Sequence, residues 1–224
     1  MKKVAVIFAD GFEEIEGVSI VDVLRRGGVE AHMVGLDKLP IAGAHGMKFV
    51  CDMTLYDLEI EEYDMLVLPG GYPGVTNLSG NLKMRETIKK FDKKGKFVAA
   101  ICAAPIALGV AEVMKGEFTC YPSCEASVEG GTYVSDKNVV QSGNIITSKG
   151  PATAMEFALQ LVKILNGEQV YNPYNLINTL PLDCWNVAME QLSVSFQQAE
   201  TETLFSPFHS TPYSISSFRP SRAR

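Results

Sequence analysis

Phe97-Val98-Ala99-Ala100-Ile101-Cys102-Ala103-Ala104-Pro105 is the stretch on which the reading of the fold turns. Its first half is a short, unbroken apolar run, the pattern of a strand buried on both faces. From Ala103 to Met114 the sequence continues as a helix. A buried strand passing straight into a helix is the repeating unit of sheets covered by helices on both sides. Cys102 stands at the junction.

The same grammar extends in both directions. Upstream, Val4 to Phe8 is a β-branched apolar run closed by Asp10-Gly11, which predicts a strand. Glu14 to Arg26 carries Ile15, Val18, Val21 and Leu24 at helical spacing and stops at Gly27-Gly28. Ala31 to Leu36 and Asp64 to Leu68 read as two more strands, the latter ending in Pro69-Gly70-Gly71. Leu82 to Phe91 has the pattern of an amphipathic helix with exposed lysines. Downstream, two β-rich runs flank Ser142-Gly143-Asn144 and predict a hairpin. Pro151 to Asn166 follows as a helix, with Phe157, Leu161 and Ile164 inward and Gly167 at its end. The fold class predicted is α/β with a mostly parallel sheet.

The chain has 224 residues, of which 46% are hydrophobic, enough for one packed core. Composition changes near Val170. We therefore expect an α/β domain over 1–170 and an extension over 171–224. In that extension Leu182 to Phe196, with Trp185, reads as a helix, and about the last twenty-five residues lack periodicity. The net charge is −6 and no long basic run is present, which argues against a nucleic-acid groove. The opening apolar run is too short for a signal peptide, and no segment reaches transmembrane length. A cytoplasmic protein is expected.

The five cysteines, Cys51, Cys102, Cys120, Cys124 and Cys184, are odd in number and irregularly spaced, which suits reduced thiols. Cys120 and Cys124 lack the further ligands that a zinc site needs. No metal and no cofactor are expected.

In an open parallel sheet, ligands bind beyond the carboxyl ends of the strands. Three segments should meet there: Asp10 to Glu16, Leu68 to Tyr72, and Ala100 to Pro105. At such a rim Cys102 would lie beside a helix N-terminus, whose dipole favours thiolate. Free amides at the turn could hold an oxyanion, and Gly70-Gly71 offers a second backbone segment without side chains. The alternative is a plain core thiol, since free cysteine is among the most buried residue types. Glu16, in the first helical turn among apolar neighbours, would be partly desolvated and could move a proton. Glu13 and Glu14 read as solvated residues complementing the helix N-terminus. His32, His45 and His209 are the only histidines, and none follows Cys102 within the folded part. A Cys-His hydrolase is therefore disfavoured.

Together, Phe8 to Glu16, Leu68 to Gly71, Ala99 to Pro105, and Ile146 to Pro151 followed by Glu156-Phe157-Ala158 resemble signature segments of the ThiJ/PfpI superfamily, in its DJ-one branch. The resemblance covers about residues 1 to 170. It implies a flavodoxin-like three-layer sandwich and a homodimer. It implies Cys102 as nucleophile and redox-sensitive thiol, Glu16 as its partner, and backbone amides of Gly71 and Ala103 as the oxyanion site. It further implies glutathione-independent glyoxalase or deglycase activity on methylglyoxal-type dicarbonyls or glycated proteins, with an oxidative-stress role. Nucleic acid would enter only as a repair substrate. Where several members carry a histidine beside the cysteine, this chain has Tyr121 before Pro122. A redox-sensing or chaperone protein of the same fold is the alternative, and a cysteine peptidase or amidotransferase the weakest reading.

Overall fold

The structure is a computed structural model and describes residues 1–167. The elements run β1 (Lys3–Phe8), α1 (Glu14–Arg26), β2 (Glu30–Gly35), β3 (Pro40–Ala42), β4 (Lys48–Val50), β5 (Met53–Thr54), β6 (Met65–Leu68) and α2 (Gly74–Gly80). They continue with α3 (Leu82–Lys93), β7 (Phe97–Ile101), α4 (Pro105–Val110), β8 (Glu117–Phe118), β9 (Thr132–Tyr133), β10 (Val139–Ser142), β11 (Ile145–Ser148) and α5 (Ala154–Asn166). Seven strands form one sheet in the order β10-β11-β7-β6-β1-β2-β5. Every neighbouring pair is parallel except β10–β11.

This order follows from the connections. From β1 the chain moves outward through α1 to β2, then returns to place β6 on the other side of β1, and moves the opposite way to β7. Right-handed crossovers in opposite directions put their helices on opposite faces. Accordingly α1 packs with α5, while α2, α3 and α4 pack together. With both faces covered, β6 and β11 are buried throughout, as are all but the first residues of β1 and β7. Between them lie Phe8, Phe12, Phe91, Phe157, Ile20, Leu24, Leu66 and Leu68, all closed off from solvent. Below the sheet Lys96 is tied down by its ammonium, which donates to the carbonyls of Ile60 (2.7 Å), Glu61 (2.9 Å) and Tyr63 (2.6 Å).

Several expectations are corrected. The helix after Cys102 is short: α4 starts at Pro105 and ends at Val110, where Glu112 takes a left-handed conformation (φ 58°). The helix after Ser148 begins with a 3-10 turn over Pro151–Thr153, because the Thr153 hydroxyl bonds Gly150 and Ser148 rather than a helical partner. On α1, Ile15 and Val18 lie outward, 57% and 44% exposed. The buried stripe is instead Gly17, Ile20, Val21, Val23 and Leu24, continued at the top by Glu14 and Glu16. The β3–β4 ribbon was not predicted, since its strands are three residues each and hide no alternation. The domain boundary near Val170, the helix expected from Leu182 to Phe196, Cys184 and His209 lie outside the described residues. Among the described residues no helix is long and apolar enough to cross a membrane.

Candidate active site

The sheet reverses direction between β1 and β6, so the loops leaving those strands diverge and open a crevice at their carboxyl ends. Asp10 to Glu13 leaves β1 and Pro69 to Tyr72 leaves β6; the turn after β7 stands next to them. The three segments expected to converge do so.

Cys102 sits in that turn with φ of +64°, the left-handed region. A non-glycine residue there costs about 1–3 kcal/mol and persists only when its surroundings over-determine it. They do: the Cys102 amide donates to Ser148 (2.9 Å), its carbonyl accepts from the Tyr121 amide (2.8 Å), and Ala104 donates back to Ile101 (3.0 Å). Strand β11, the 121–124 turn and the end of β7 thus hold one residue from three sides. Cys102 is 8% exposed, so its sulfur meets the crevice through a small opening.

Glu16 comes from the first turn of α1 and is fully buried. Its Oε2 accepts from the Gly70 amide at 2.7 Å. Its Oε1 is buried without a hydrogen-bond partner among the described residues, and the polar side chain that interacts with the carboxyl is the Cys102 thiol. Gly70 is needed at this spot: a Cβ there would lie 2.5 Å from Cys102 Cβ and 2.9 Å from Glu16 Oε2. The amides of Gly71 and Ala103 lie close enough to the Cys102 thiol to favour its ionised form. Gly71 has φ of +91°, a conformation glycine adopts freely.

Burial pushes the Glu16 carboxyl up to about 7, with the Gly70 amide opposing and the nearby Glu13 charge adding to the rise. Burial also pushes the Cys102 thiol up, Glu16 pushes it further, and the Ala103 and Gly71 amides pull it down. The expected thiolate favoured by a helix dipole is therefore corrected. Desolvation wins, and α4, one and a half turns long and starting three residues later, is a weak counterweight. The two groups are coupled, the charge on Glu16 raising the thiol of Cys102. An ionised Glu16 keeps Cys102 protonated; a protonated Glu16 removes the opposing charge and leaves two amides to favour the thiolate.

Of the residues singled out from the sequence, Cys102, Glu16, Gly70, Gly71 and Ala103 meet within this one crevice. Tyr121 joins them from the far side, its ring against Gly150: a Cβ on Gly150 would lie 3.1 Å from Tyr121 Cδ2 and 3.8 Å from Cys102 Sγ. Glu14 corrects the sequence reading. It is 2% exposed, and its two oxygens accept from the His45 amide (2.7 Å) and meet His45 Nδ1 (2.8 Å). This pins the β3–β4 loop beside the site. Glu13, Glu14 and His45 bring ligand atoms within 4.8 Å of one another, the described grouping with metal-ligand spacing, although His45 already occupies both Glu14 oxygens. His32 bonds the Tyr63 hydroxyl (2.7 Å) instead of approaching Cys102. One residue was passed over: Ser148, whose carbonyl fixes the Cys102 turn.

A doubly wound α/β sheet with a cysteine on a strained strand-to-helix turn and a buried glutamate beside it defines a class of proteins. The chain belongs to the DJ-1/PfpI family, which it matches over residues 2–164. It is 38% identical over 161 residues to the "Glutathione-independent glyoxalase DJR-1.2" of Caenorhabditis elegans, covering 71% of this chain and 86% of that protein. It is 36% identical over 171 residues to "Protein DJ-1 homolog B" of Arabidopsis thaliana, covering 75% of this chain but spanning only 39% of that protein's length. Among solved structures, the crystal structure of Drosophila melanogaster DJ-1beta superposes with a TM-score of 0.76 at 34% identity, over 80% of this chain and 98% of that one.

Proposed function

We propose that the protein is a cysteine-dependent, glutathione-independent glyoxalase or deglycase, with Cys102 as nucleophile and Glu16 as the group that moves protons. One observation carries this reading. A cysteine is held at φ of +64° beside a fully buried carboxyl whose oxygen Oε1 lacks another partner among the described residues, and the nearby Gly71 and Ala103 amides favour the ionised sulfur. A merely structural thiol needs none of these. The name of the C. elegans relative supports the choice of substrate class.

The chemistry follows from the geometry. As sulfur bonds to the aldehyde carbon of methylglyoxal, the thiol proton passes to Glu16 and then to the new alkoxide, giving a hemithioacetal. The developing oxyanion lies within reach of the Gly71 and Ala103 amides. Glu16, ionised again, takes the C1 hydrogen as a proton and returns it to C2, producing a lactate thioester. Water cleaves the carbon–sulfur bond, restores the thiol and releases lactate, so that overall one water is added to methylglyoxal. A glutamate near 7 suits both directions of transfer at neutral pH. Early glycation adducts of protein side chains present the same carbonyl chemistry. A function in the cytoplasm and as a homodimer belongs to this proposal. Ile15 and Val18 on α1 and Met47 are exposed large apolar residues that this proposal assigns to the contact with a second copy.

The test is lactate formation from methylglyoxal without glutathione. We expect turnover by the wild-type protein and none by Cys102→Ala; equal turnover by both would overturn the mechanism.

A second reading has its own observation. A carboxyl near 7 is half protonated at neutral pH and can donate to an oxidised sulfur. Peroxide could carry the thiol to a sulfinic acid, two peroxides being reduced to two waters. Sulfinic acid at Cys102 under mild peroxide, in protein that consumes no dicarbonyl, would favour a redox-sensing role over an enzymatic one.

A further inference from the structure

We propose that the space over Gly150, between the Tyr121 ring and the Cys102 sulfur, is the subsite for the carbon substituent of a 2-oxoaldehyde, sized for a methyl group. The inference rests on the dicarbonyl reading above and assigns which substrates of that class the site takes.

The glycines around the thiol carry it. Gly70 and Gly71 have no room beside them. A Cβ on Gly70 would lie 2.5 Å from Cys102 Cβ, and one on Gly71 would lie 2.4 Å from the Glu13 amide nitrogen. Gly150 differs. A Cβ there would lie 3.1 and 3.6 Å from Tyr121 Cδ2 and Cε2 and 3.8 Å from Cys102 Sγ, its three nearest neighbours outside the adjoining residues. One carbon therefore fits, in van der Waals contact with the sulfur, once the ring gives by a few tenths of an ångström. The backbone does not impose glycine, because Gly150 is extended (φ 162°, ψ −163°). What the missing side chain provides is room.

That room has a fixed frame. The Gly150 amide donates to the Thr153 hydroxyl (3.1 Å), and its carbonyl accepts from the Thr153 amide (2.9 Å). Ser148 accepts from the Cys102 amide, and the Tyr121 amide donates to the Cys102 carbonyl. Floor, ring and sulfur thus hang on one turn. A substrate methyl suits the space by position. In the hemithioacetal of methylglyoxal that methyl stands three bonds from the sulfur, within contact distance, as the Gly150 point does. It also suits by polarity. Ring carbons and a sulfur offer a water molecule few hydrogen bonds, so an apolar group is preferred. Glyoxal, with hydrogen in place of methyl, leaves the contact unused. A branched or aryl substituent meets the Cδ2–Cε2 edge of Tyr121 and must displace it.

The experiment uses the full chain and a readout independent of turnover. Iodoacetamide alkylation of Cys102, followed by peptide mass, is measured against rising glyoxal, methylglyoxal or tert-butylglyoxal, each of which protects the thiol as a reversible hemithioacetal. Each variant is judged by the ratio of half-protecting concentrations, in which effects on the thiol itself cancel. In Gly150→Ala the added methyl fills the subsite, and the methylglyoxal-to-glyoxal ratio should rise about tenfold. In Tyr121→Ala the wall is gone, and the tert-butylglyoxal-to-glyoxal ratio should fall about tenfold. An unchanged methylglyoxal ratio in folded Gly150→Ala overturns the inference, because the substituent then points elsewhere. So does an unchanged tert-butylglyoxal ratio in Tyr121→Ala, which decides alone if Gly150→Ala does not fold. A wild-type thiol that none of the three aldehydes protects overturns it too. Protection without lactate release refutes the glyoxalase reading alone and leaves the ratios readable.

Discussion

Replacing Glu16 by glutamine should remove activity and, above neutral pH, strengthen the fold. The carboxyl ordinarily titrates at 4.5 and is held at about 7, chiefly by burial. Unfolded chains release this proton near 4.5 and folded ones near 7, so the folded state binds the extra proton between those values. The stability that this group contributes is complete below 4.5 and is lost as pH rises through 7. At roughly 1.4 kcal/mol per pH unit, the loss approaches ~3 kcal/mol by pH 8. Glu16→Gln is neutral throughout, and its amide oxygen can still accept from Gly70. Urea unfolding of both proteins at pH 4.5, 6, 7 and 8 gives the comparison. The wild-type protein should fall relative to the variant by about 2–3 kcal/mol across that range. Contributions from groups common to both, including His45 and Glu14, cancel in the difference. Cys102, with its thiol pushed up, does not ionise in this window. Parallel stability curves would refute the argument, because they would mean that the buried carboxyl is as easily ionised as a solvated one. A site that is less stable when ready to act is the common cost of catalytic preorganisation.

The rate at limiting methylglyoxal should rise through a single ionisation near pH 7 as Glu16 becomes the proton acceptor, and the residual rate of Glu16→Gln should lack that limb; a pH–rate profile measures both. Gly70→Ala should abolish turnover, because the added methyl collides with the Cys102 side chain and the Glu16 carboxyl, and the Cys102 alkylation rate will report the displacement. Val18→Glu should shift a homodimer to monomer in light scattering without loss of helical signal, since Val18 is exposed on α1. Lys96→Met should destabilise the fold by about 1–3 kcal/mol in urea, because the carbonyls of Ile60, Glu61 and Tyr63 lose their shared donor.

Much of the frame was legible because its signals are local. An apolar run closed by Gly or Pro reads as a buried strand whatever surrounds it, and β1, β6 and β7 fall where such runs predict. The hairpin at Gly143-Asn144 was equally visible, since its turn residues flank two β-rich runs. Boundaries set by side-chain bonding were not visible, such as the 3-10 turn that Thr153 imposes before α5. The orientation of α1 was misread for a related reason. Ile15 and Val18 share helical spacing with Val21 and Leu24, but the face that packs inward is the one carrying Gly17, Ile20, Val21, Val23 and Leu24, which packing rather than spacing selects.

The sequence by itself determined the class of fold, the three segments at the strand ends, and the candidate thiol, because strand-to-helix junctions and glycine turns are written in consecutive residues. Only the tertiary structure decided the chemistry of that thiol. Residues 16, 70, 71, 102, 103, 121 and 148 come from five separate segments of the chain, and their distances depend on strand order and register. The same is true of the titration of Glu16 and Cys102. Desolvation depends on everything packed around a group, and here it outweighs the short helix that the sequence suggested would favour a thiolate.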